Sequence, residues 1–286
     1  MTCYLNGRFL PIDEARVSPL DRGFLFGDGA YELIPVYSRR PFRRDEHLKR
    51  LQQTLDGIRL ANPLTDAAWR DVVDRLVADA PDEDQSIYLQ VTRGADTKRD
   101  HAFPKGVAPT VFAFSAPLVT TPQAVRERGI ACITVVDSRW LHCNLKVLAL
   151  LPNVLLRQQA IDEGCVEAIL LREGFLTEGA ASNIFVCRDG VLLAPPKDHR
   201  MLPGITYDVV LELAARHGMP HVVREISADE LRRADEVWMT SSTKEVLPVA
   251  TLDGQPVGAG VPGPMARQMY AWYVDFRDQV MRSSDG

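Results

Sequence analysis

The sequence predicts a mixed α/β fold divided between two domains. Short strand-like runs and amphipathic helical stretches occur in both halves of the chain, without the strict β-α alternation of a single parallel sheet. The 286 residues are about twice the usual length of one domain. The stretch Leu118–Gln123 contains a proline and two threonines and has no helical or strand periodicity. We therefore predict a smaller α/β domain at 1–118, a linker at 119–124 and a larger domain at 125–286.

In the first predicted domain, turn residues and periodic apolar positions mark six elements. Asn6-Gly7 tolerates the positive φ of a two-residue turn and predicts a hairpin over Tyr4–Leu10. Asp45 is the expected cap of a helix whose stripe is Leu48, Leu51, Leu55 and Ile58. The other predicted elements are a helix over Asp66–Ala80 and strands over Tyr31–Tyr37, Ser86–Thr92 and Thr110–Ser115.

In the second predicted domain, strands and helices again alternate irregularly. Ser227 and Glu230 have the spacing of a capping box, and Asp189-Gly190 predicts a turn between two strands. Helices are predicted over Leu145–Asp162, Ile205–His217 and Met265–Val280, and strands over Ile130–Val136, Val166–Leu171, Asn183–Cys187, Val191–Ala194, Glu236–Ser241 and Val246–Leu252.

Composition and charge exclude several classes of protein. With 46% hydrophobic and 25% charged residues the chain resembles ordinary globular proteins, and its net charge of −5 provides no basic excess for nucleic acid. The amino terminus lacks the pattern of a signal peptide, and no apolar run is long enough for a membrane span. Five scattered cysteines without a C-x-x-C pair predict reduced thiols and no zinc site. We expect a cytoplasmic protein without metal, nucleic acid or membrane partners.

Lys146 is the only charged residue in the apolar stretch CNLKVLALLPNVLL, residues 143–156. A lysine at the start of a helix usually lies at the surface, because lysine is seldom fully buried. An apolar setting would alternatively favour a neutral amine able to form a Schiff base with an aldehyde. Spacing alone does not decide between these two interpretations.

Three further motifs offer partners for an aldehyde cofactor that carries a ring and a phosphate. Glu178, in LTEGAASNIFV, is either a solvated turn residue or the carboxylate partner of a pyridinium nitrogen. LPGITYDVV begins a helix at Ile205, where free N–H groups and the Thr206 hydroxyl suit a phosphate. The serines of MTSSTKE, Ser241 and Ser242, are either turn residues or further phosphate ligands.

Arginine, histidine and tyrosine provide candidate contacts to anions. Arg50, in HLKRL, is either a surface residue of a helix or a phosphate clamp that uses its planar guanidinium. Arg99 and His101, in TKRDHAFP, point to the same side of an extended segment, where they could hold a carboxylate, although such pairs also arise by chance in loops. Tyr31, at the end of DRGFLFGDGAYE, is either a core residue or a hydroxyl facing a substrate.

Taken together, these motifs resemble the fold-type IV pyridoxal-phosphate aminotransferases, and among them the D-amino-acid transaminases most closely. The resemblance extends over nearly the whole chain and is strongest in DRGFLFGDGAYE, RWLHCNLKVLALLPNVLL, EAILLREGFLTEGAASNIF and PGITYDVV. It implies two α/β domains with pyridoxal 5′-phosphate in the cleft between them, and a larger C-terminal domain that binds this cofactor. It also implies a homodimer in which Arg99 and His101 come from the neighbouring subunit.

The resemblance implies transfer of an amino group from a D-amino acid such as D-alanine to a 2-oxo acid such as 2-oxoglutarate or pyruvate, by a ping-pong mechanism. Alternatives on the same scaffold are an (R)-amine or branched-chain L-amino-acid transaminase, an aminodeoxychorismate lyase and a non-catalytic cofactor-binding protein. The implied roles are Lys146 as Schiff-base lysine and proton shuttle; Glu178 at the pyridine nitrogen; Leu202 against the ring; Arg50, Ile205, Thr206, Ser241 and Ser242 at the phosphate; and Tyr31, Arg99 and His101 at the substrate carboxylate.

Overall fold

The structure, a computed structural model, describes residues 1–283 and divides them into two compact units. The first unit contains Met1–Leu118, Leu145–Leu150 and residues 280–283, and the second contains Val119–Asn144 and Leu151–Gln279. The division of the sequence into domains at 1–118 and 125–286 stays a prediction, and its last residues, 284–286, lie outside the described part. The prediction of a mixed α/β fold is confirmed.

In the first unit, the described strands form an antiparallel six-stranded sheet in the order β2-β1-β6-β5-β3-β4. The strands are β1 (Thr2–Leu5), β2 (Arg8–Pro11), β3 (Gly29–Tyr37), β4 (Arg40–Pro41), β5 (Gln85–Thr92) and β6 (Thr110–Pro117). The helices are α1 (Arg22–Phe26), α2 (Arg44–Gly57) and α3 (Asp66–Asp79), with a 3₁₀ turn at Ile12–Glu14.

Local chemistry accounts for most of these elements. The hairpin of β1 and β2 turns at Asn6 and Gly7, whose φ angles are 48° and 90°, as that dipeptide predicts. The apolar stripe of α2 and the Trp69 face of α3 pack together in one buried core against the sheet. Asp45 does not cap α2 as predicted. It lies in the first turn, where a negative charge interacts favourably with the helix dipole, and the N-cap is Arg43, the residue before the helix.

The segment around Lys146 is not helical, so the prediction of a helix starting at Leu145 is wrong. The helix begins at Leu151, because Pro152 fits the first turn of a helix but would break its interior. Residues Leu145–Leu150 instead run beside the start of β3: Val147 bridges Ala30, and the Leu148 N–H donates to the Gly29 carbonyl at 3.0 Å.

In the second unit, the described strands form one mixed sheet in the order β12-β11-β10-β13-β14-β7-β8-β9, with β15 paired to β14. The strands are β7 (Ile130–Val136), β8 (Glu167–Arg172), β9 (Phe175–Gly179), β10 (Asn183–Arg188), β11 (Val191–Ala194), β12 (His221–Val223), β13 (Glu236–Ser241), β14 (Glu245–Leu252) and β15 (Gln255–Pro256). The helices are α4 (Gln123–Arg128), α5 (Leu151–Asp162), α6 (Ile205–Arg216), α7 (Ala228–Arg232) and α8 (Pro264–Phe276); α8 is continued by a π-helical turn at Arg277–Met281, whose last two residues belong to the first unit.

Among the described residues, a larger and a smaller hydrophobic cluster pack against this second sheet. The larger cluster joins the central strands β13 and β14 to β7, β10 and α7, and the smaller one places Leu156 and Ala160 of α5 against β8. The predicted capping box is present at α7, where Ser227 accepts from the Glu230 N–H and Glu230 accepts from the Ser227 N–H. α4 starts at Gln123, within the stretch predicted as a linker.

Within residues 1–283, no helix is both long and apolar enough to cross a membrane. No group of three or more histidine, cysteine or acidic side chains in the same residues is arranged to hold a metal ion.

Candidate active site

In the first unit, Lys146 is fixed by its backbone on two sides. Its N–H donates to the Thr54 hydroxyl of α2 at 3.2 Å, and its carbonyl accepts from the Tyr31 N–H of β3 at 3.0 Å. The lysine Nζ lies 4.1 Å from the centre of the Tyr31 ring. The tertiary fold therefore brings together two residues that the sequence suggested separately, and it gives the half-buried amine a defined position beside an aromatic face.

Arg50 is a buried residue of α2, and the interpretation of it as a surface residue is wrong. Its Nε and Nη2 donate to the two oxygens of Glu32 at 2.7 and 2.8 Å. Glu32 lies on β3 directly after Tyr31 and also contacts His47 Nδ1 at 2.9 Å. Sequence reasoning missed Glu32. The one signal for it was weak: it is a charged residue in a strand whose other residues carry no charge.

Burial and charge set the protonation of this cluster. Burial alone would raise the pKa of Glu32, but the Arg50 guanidinium and His47 outweigh it and hold that pKa well below its usual range. Burial lowers the pKa of His47 below 6.5, against the opposing effect of Glu32. His47 is therefore neutral near pH 7 and its Nδ1–H donates to Glu32, which leaves Nε2 without a hydrogen-bond partner among the described residues.

Arg99 and His101 lie in an exposed loop between β5 and β6. They share one aromatic neighbour: the Phe26 ring centre is 5.2 Å from the His101 ring and 5.0 Å from the Arg99 guanidinium carbon. The buried guanidinium of Arg22 donates to the Asp100 carbonyl at 2.5 Å and to the His101 carbonyl at 3.2 Å. Arg22 thus anchors the loop, a role that the sequence did not suggest.

In the second unit, Glu178 is a buried carboxylate at the end of β9, so the interpretation of it as a solvated turn residue is wrong. One oxygen accepts from Arg139 Nη1 at 2.5 Å, and the other accepts from the Leu202 N–H at 3.1 Å and from Asn183 Nδ2 at 3.4 Å. Burial raises the pKa of Glu178 to about 7, although Arg139 lowers it in part.

Arg139 was missed by sequence reasoning. Asp137, directly after β7, accepts from Arg139 Nε and Nη2, each at 2.9 Å, and also pairs with Arg172 at 3.0 Å. The Asp-x-Arg spacing at the end of a strand is the signal that could have indicated a paired charge, because residues two apart on extended backbone share one side.

The loop before α6 connects Leu202 with the start of the helix. Asn183 Nδ2 donates to the Leu202 carbonyl at 2.9 Å, while the Leu202 N–H donates to Glu178. Gly204 is the N-cap, and a side chain there would collide with the Asn183 Oδ1. Ile205 and Thr206 open the helix, whose first N–H groups have no intrahelical acceptor. These free N–H groups and the buried Thr206 side chain form the donor set that suits a phosphate.

Ser241 and Ser242 lie at the turn between β13 and β14. The Ser241 hydroxyl accepts from the Lys244 N–H at 3.1 Å, as a turn residue does. The phosphate role of Ser241 and Ser242 stays a prediction.

The model of the family described as "Amino-transferase class IV" matches residues 29–252, which include Lys146 and Glu178. A protein named D-alanine aminotransferase from Bacillus licheniformis is 38% identical over 269 residues, 94% of each chain. Another of that name, from Staphylococcus aureus strain MW2, is 39% identical over 93% of this chain and 94% of its own length.

Solved structures show the same fold. A branched-chain amino acid aminotransferase from T.th., solved with pyridoxamine 5′-phosphate, superposes with a TM-score of 0.92 at 27% identity, over 99% of this chain and 95% of that one. A fold IV transaminase from Curtobacterium pusillum superposes with a TM-score of 0.80 at 27% identity, over 93% of each chain.

Proposed function

Because this chain belongs to the class IV aminotransferases, we propose that it transfers the amino group of a D-amino acid such as D-alanine to a 2-oxo acid such as pyruvate or 2-oxoglutarate, with pyridoxal 5′-phosphate as cofactor. The curated relatives named D-alanine aminotransferase support this choice of substrate. The observation that carries the proposal is the position of Lys146, whose backbone is held by hydrogen bonds to Thr54 and Tyr31 and whose amine lies beside the Tyr31 ring.

The residues present fit the chemical groups of that cofactor. An aldehyde needs an amine, which Lys146 offers; a pyridine nitrogen needs a carboxylate, which Glu178 offers. A phosphate needs several donors at low cost in entropy, and the free N–H groups at Ile205 and Thr206 are already ordered. We assign Arg50, Ser241 and Ser242 to the phosphate as well, and Leu202 to the ring.

When bound, the cofactor supplies an electron sink that stabilises a carbanion at the substrate Cα. Lys146 would provide the amine that binds the aldehyde group and would also move the proton between the substrate Cα and C4′. Glu178 would hold the pyridine nitrogen in its protonated, electron-withdrawing form. Arg50 and the start of α6 would hold the phosphate.

For the substrate carboxylate we propose Tyr31, Arg99 and His101 as the binding group. Arg99 and His101 present charged and polar donors on an anchored loop, and both are exposed within one chain. Their exposure supports the proposal that they serve the neighbouring subunit of a homodimer. The five free thiols agree with the proposal of a cytoplasmic location.

A second candidate is transamination of branched-chain L-amino acids, favoured by the TM-score of 0.92 to the branched-chain enzyme solved with pyridoxamine 5′-phosphate. A substrate panel with paired D and L enantiomers separates the two activities, and (R)-amines belong in the same panel. Elimination of pyruvate from aminodeoxychorismate would indicate the lyase.

Covalent binding of the cofactor tests the central assignment. We expect the purified protein to be yellow with pyridoxal 5′-phosphate, and borohydride to fix the cofactor to Lys146, as peptide mass analysis would show. The Lys146→Gln variant should carry no covalently bound cofactor after reduction, whereas Lys49→Gln, which removes an exposed lysine of α2, should be labelled like the wild type. Labelling of another lysine, or no labelling, would contradict the proposal.

The assignment of Arg99 to the substrate carboxylate is tested separately. Arg99→Ala should raise KM for D-alanine far more than it raises the Kd for pyridoxal 5′-phosphate, because Arg99 is assigned to the substrate only. Lys98→Ala, which removes an exposed neighbouring charge, is the matched control. Unchanged D-alanine kinetics in Arg99→Ala would show that the carboxylate is bound elsewhere.

A further inference from the structure

Four charged side chains of the second unit form a row of ion pairs in which positive and negative groups alternate. Of these four residues, only Glu178 has a role in the proposed function. Arg172 pairs with Asp137 at 3.0 Å, Asp137 pairs with Arg139, and Arg139 pairs with Glu178. The side chains of Asp137, Arg139 and Glu178 are each at most 6% exposed. Moving three charged groups this far out of water costs free energy unless their geometry is well matched, so this row of ion pairs requires an explanation.

Asp137 determines the direction of the Arg139 guanidinium. It engages Nε and Nη2 with its two oxygens, which is the bidentate arrangement that fixes an arginine most firmly. The Thr177 hydroxyl and Arg172 also bind Oδ2 of Asp137 and so help to hold its carboxylate in place. The remaining nitrogen, Nη1, then points at Glu178 Oε1 at 2.5 Å.

The other groups that face Glu178 cannot replace this contact. The Leu202 N–H and Asn183 Nδ2 are neutral donors at 3.1 and 3.4 Å. Asp137 is a like charge that raises the pKa of Glu178, and the Cys143 thiol nearby has a pKa raised by burial. Among the described residues, Arg139 is the cation that directly contacts the carboxylate, and it opposes the effect of burial on the Glu178 pKa.

We propose that Arg139, held by Asp137, is a positioning residue that keeps Glu178 ionised and directed at the ring nitrogen of the cofactor. The step that connects Glu178 to the cofactor rests on the proposed function. Arg139 itself acts through Glu178 and contacts no reacting atom. A protonated Glu178 carries no negative charge to stabilise a pyridinium, so loss of Arg139 would weaken the electron sink without removing any group that binds the cofactor.

Titration of the cofactor-free protein tests the ionisation of Glu178 independently of any activity. Infrared difference spectra would follow the carbonyl band of the protonated carboxyl as a function of pH, and Glu178→Gln identifies that band by its loss. An opposite charge at this distance shifts a carboxyl by about 1–3 pH units, so the midpoint in Arg139→Met should rise by about that amount. Arg139→Lys should recover part of the shift.

Arg139→Gln is the second variant, which removes the cation but keeps a side chain able to donate hydrogen bonds to Asp137 and Glu178. If Arg139→Met does not fold, judged by circular dichroism, this variant decides: its midpoint should also rise, because the positive charge that opposes burial is gone. A midpoint that equals the wild-type value in a folded variant would overturn the proposal, because the cation would then have only a structural role.

The bound cofactor provides the second measurement. With ¹⁵N-labelled pyridoxal 5′-phosphate, the ring-nitrogen shift should report a protonated ring in wild type and a largely unprotonated ring in Arg139→Met near pH 8. Different results would refute the proposed function and the inference about Arg139. Wild-type protein that binds no cofactor at Lys146 would refute the proposed function, whereas an unchanged ring nitrogen in cofactor-loaded Arg139→Met would refute the inference alone.

Discussion

The Glu32→Gln substitution tests whether the buried ion pair at Arg50 stabilises the first unit. The Glu32 carboxylate is 0% exposed and accepts from Arg50 Nε, Arg50 Nη2 and His47 Nδ1 at 2.7 to 2.9 Å. A glutamine has the same shape but carries an NH₂ group in place of one oxygen. At least one of the three donors would then face another donor, and Arg50 would lose a counter-charge in a buried site.

Removing one partner of a buried ion pair costs about 3–5 kcal/mol, more than most single substitutions do. In a chain of this size each kcal/mol changes Tm by about 2–4 °C, so we expect Tm to fall by about 10 °C. The measurement is thermal unfolding of the cofactor-free protein, followed by circular dichroism. Glu46→Gln removes an exposed carboxylate of the same helix as Arg50 and should change the free energy of unfolding by less than about 0.5 kcal/mol.

The low pKa of Glu32 determines how the stability of the two proteins depends on pH. The native pKa of Glu32 lies below 4.5, its usual value, so the stabilisation is fully present above pH 4.5 and is lost as the pH falls further. The Tm difference between wild type and Glu32→Gln should therefore be largest at neutral pH and shrink in acid. Equal Tm values for the Glu32 and Glu46 variants at pH 8 would refute the reasoning, because leaving Arg50 without its counter-charge would then cost no stability.

Three further substitutions test the anchoring of the site. Arg22→Met should raise KM for D-alanine about tenfold and leave the Kd for pyridoxal 5′-phosphate unchanged, because the charged anchor of the His101 loop is lost; steady-state kinetics and absorbance titration would show this, and an unchanged KM would contradict it. Gly204→Ala places a methyl group against Asn183 and should weaken cofactor binding about tenfold in the same titration, whereas an unchanged Kd would mean that the loop adapts without cost. Ser227→Ala removes one half of a capping box and should cost about 1 kcal/mol in thermal unfolding, unless the first turn of the helix is stabilised by other contacts.

Elements set by neighbouring residues were predicted from the sequence almost without error. The Asn6-Gly7 hairpin, the capping box at Ser227 and the start of α6 at Ile205 all have the structure that their local chemistry requires. The strands β7, β11 and β13 have the predicted bounds as well. In these cases the deciding interactions lie within a few residues, so the sequence contains the full explanation.

The prediction of a helix starting at Leu145 was wrong because its local sequence pattern was ambiguous. An apolar run of this length suits a helix or an extended buried segment equally, and periodicity does not separate the two. Pro152 was the local signal for the true start of α5. Where the residues before it lie depends on β3 and α2, which provide the Tyr31 N–H and the Thr54 hydroxyl from distant parts of the chain.

The sequence alone determined the chemical inventory of this protein: an amine, a carboxylate, a helix start and several cations in the order of a known family. Only the tertiary structure decided the state of each group. In the tertiary structure, Arg50 is buried and donates to Glu32, and Arg139, which is bound by Asp137, donates to Glu178. Protonation and direction depend on burial and on charges within a few ångströms, and those neighbours are separated by 18 and 39 residues along the chain.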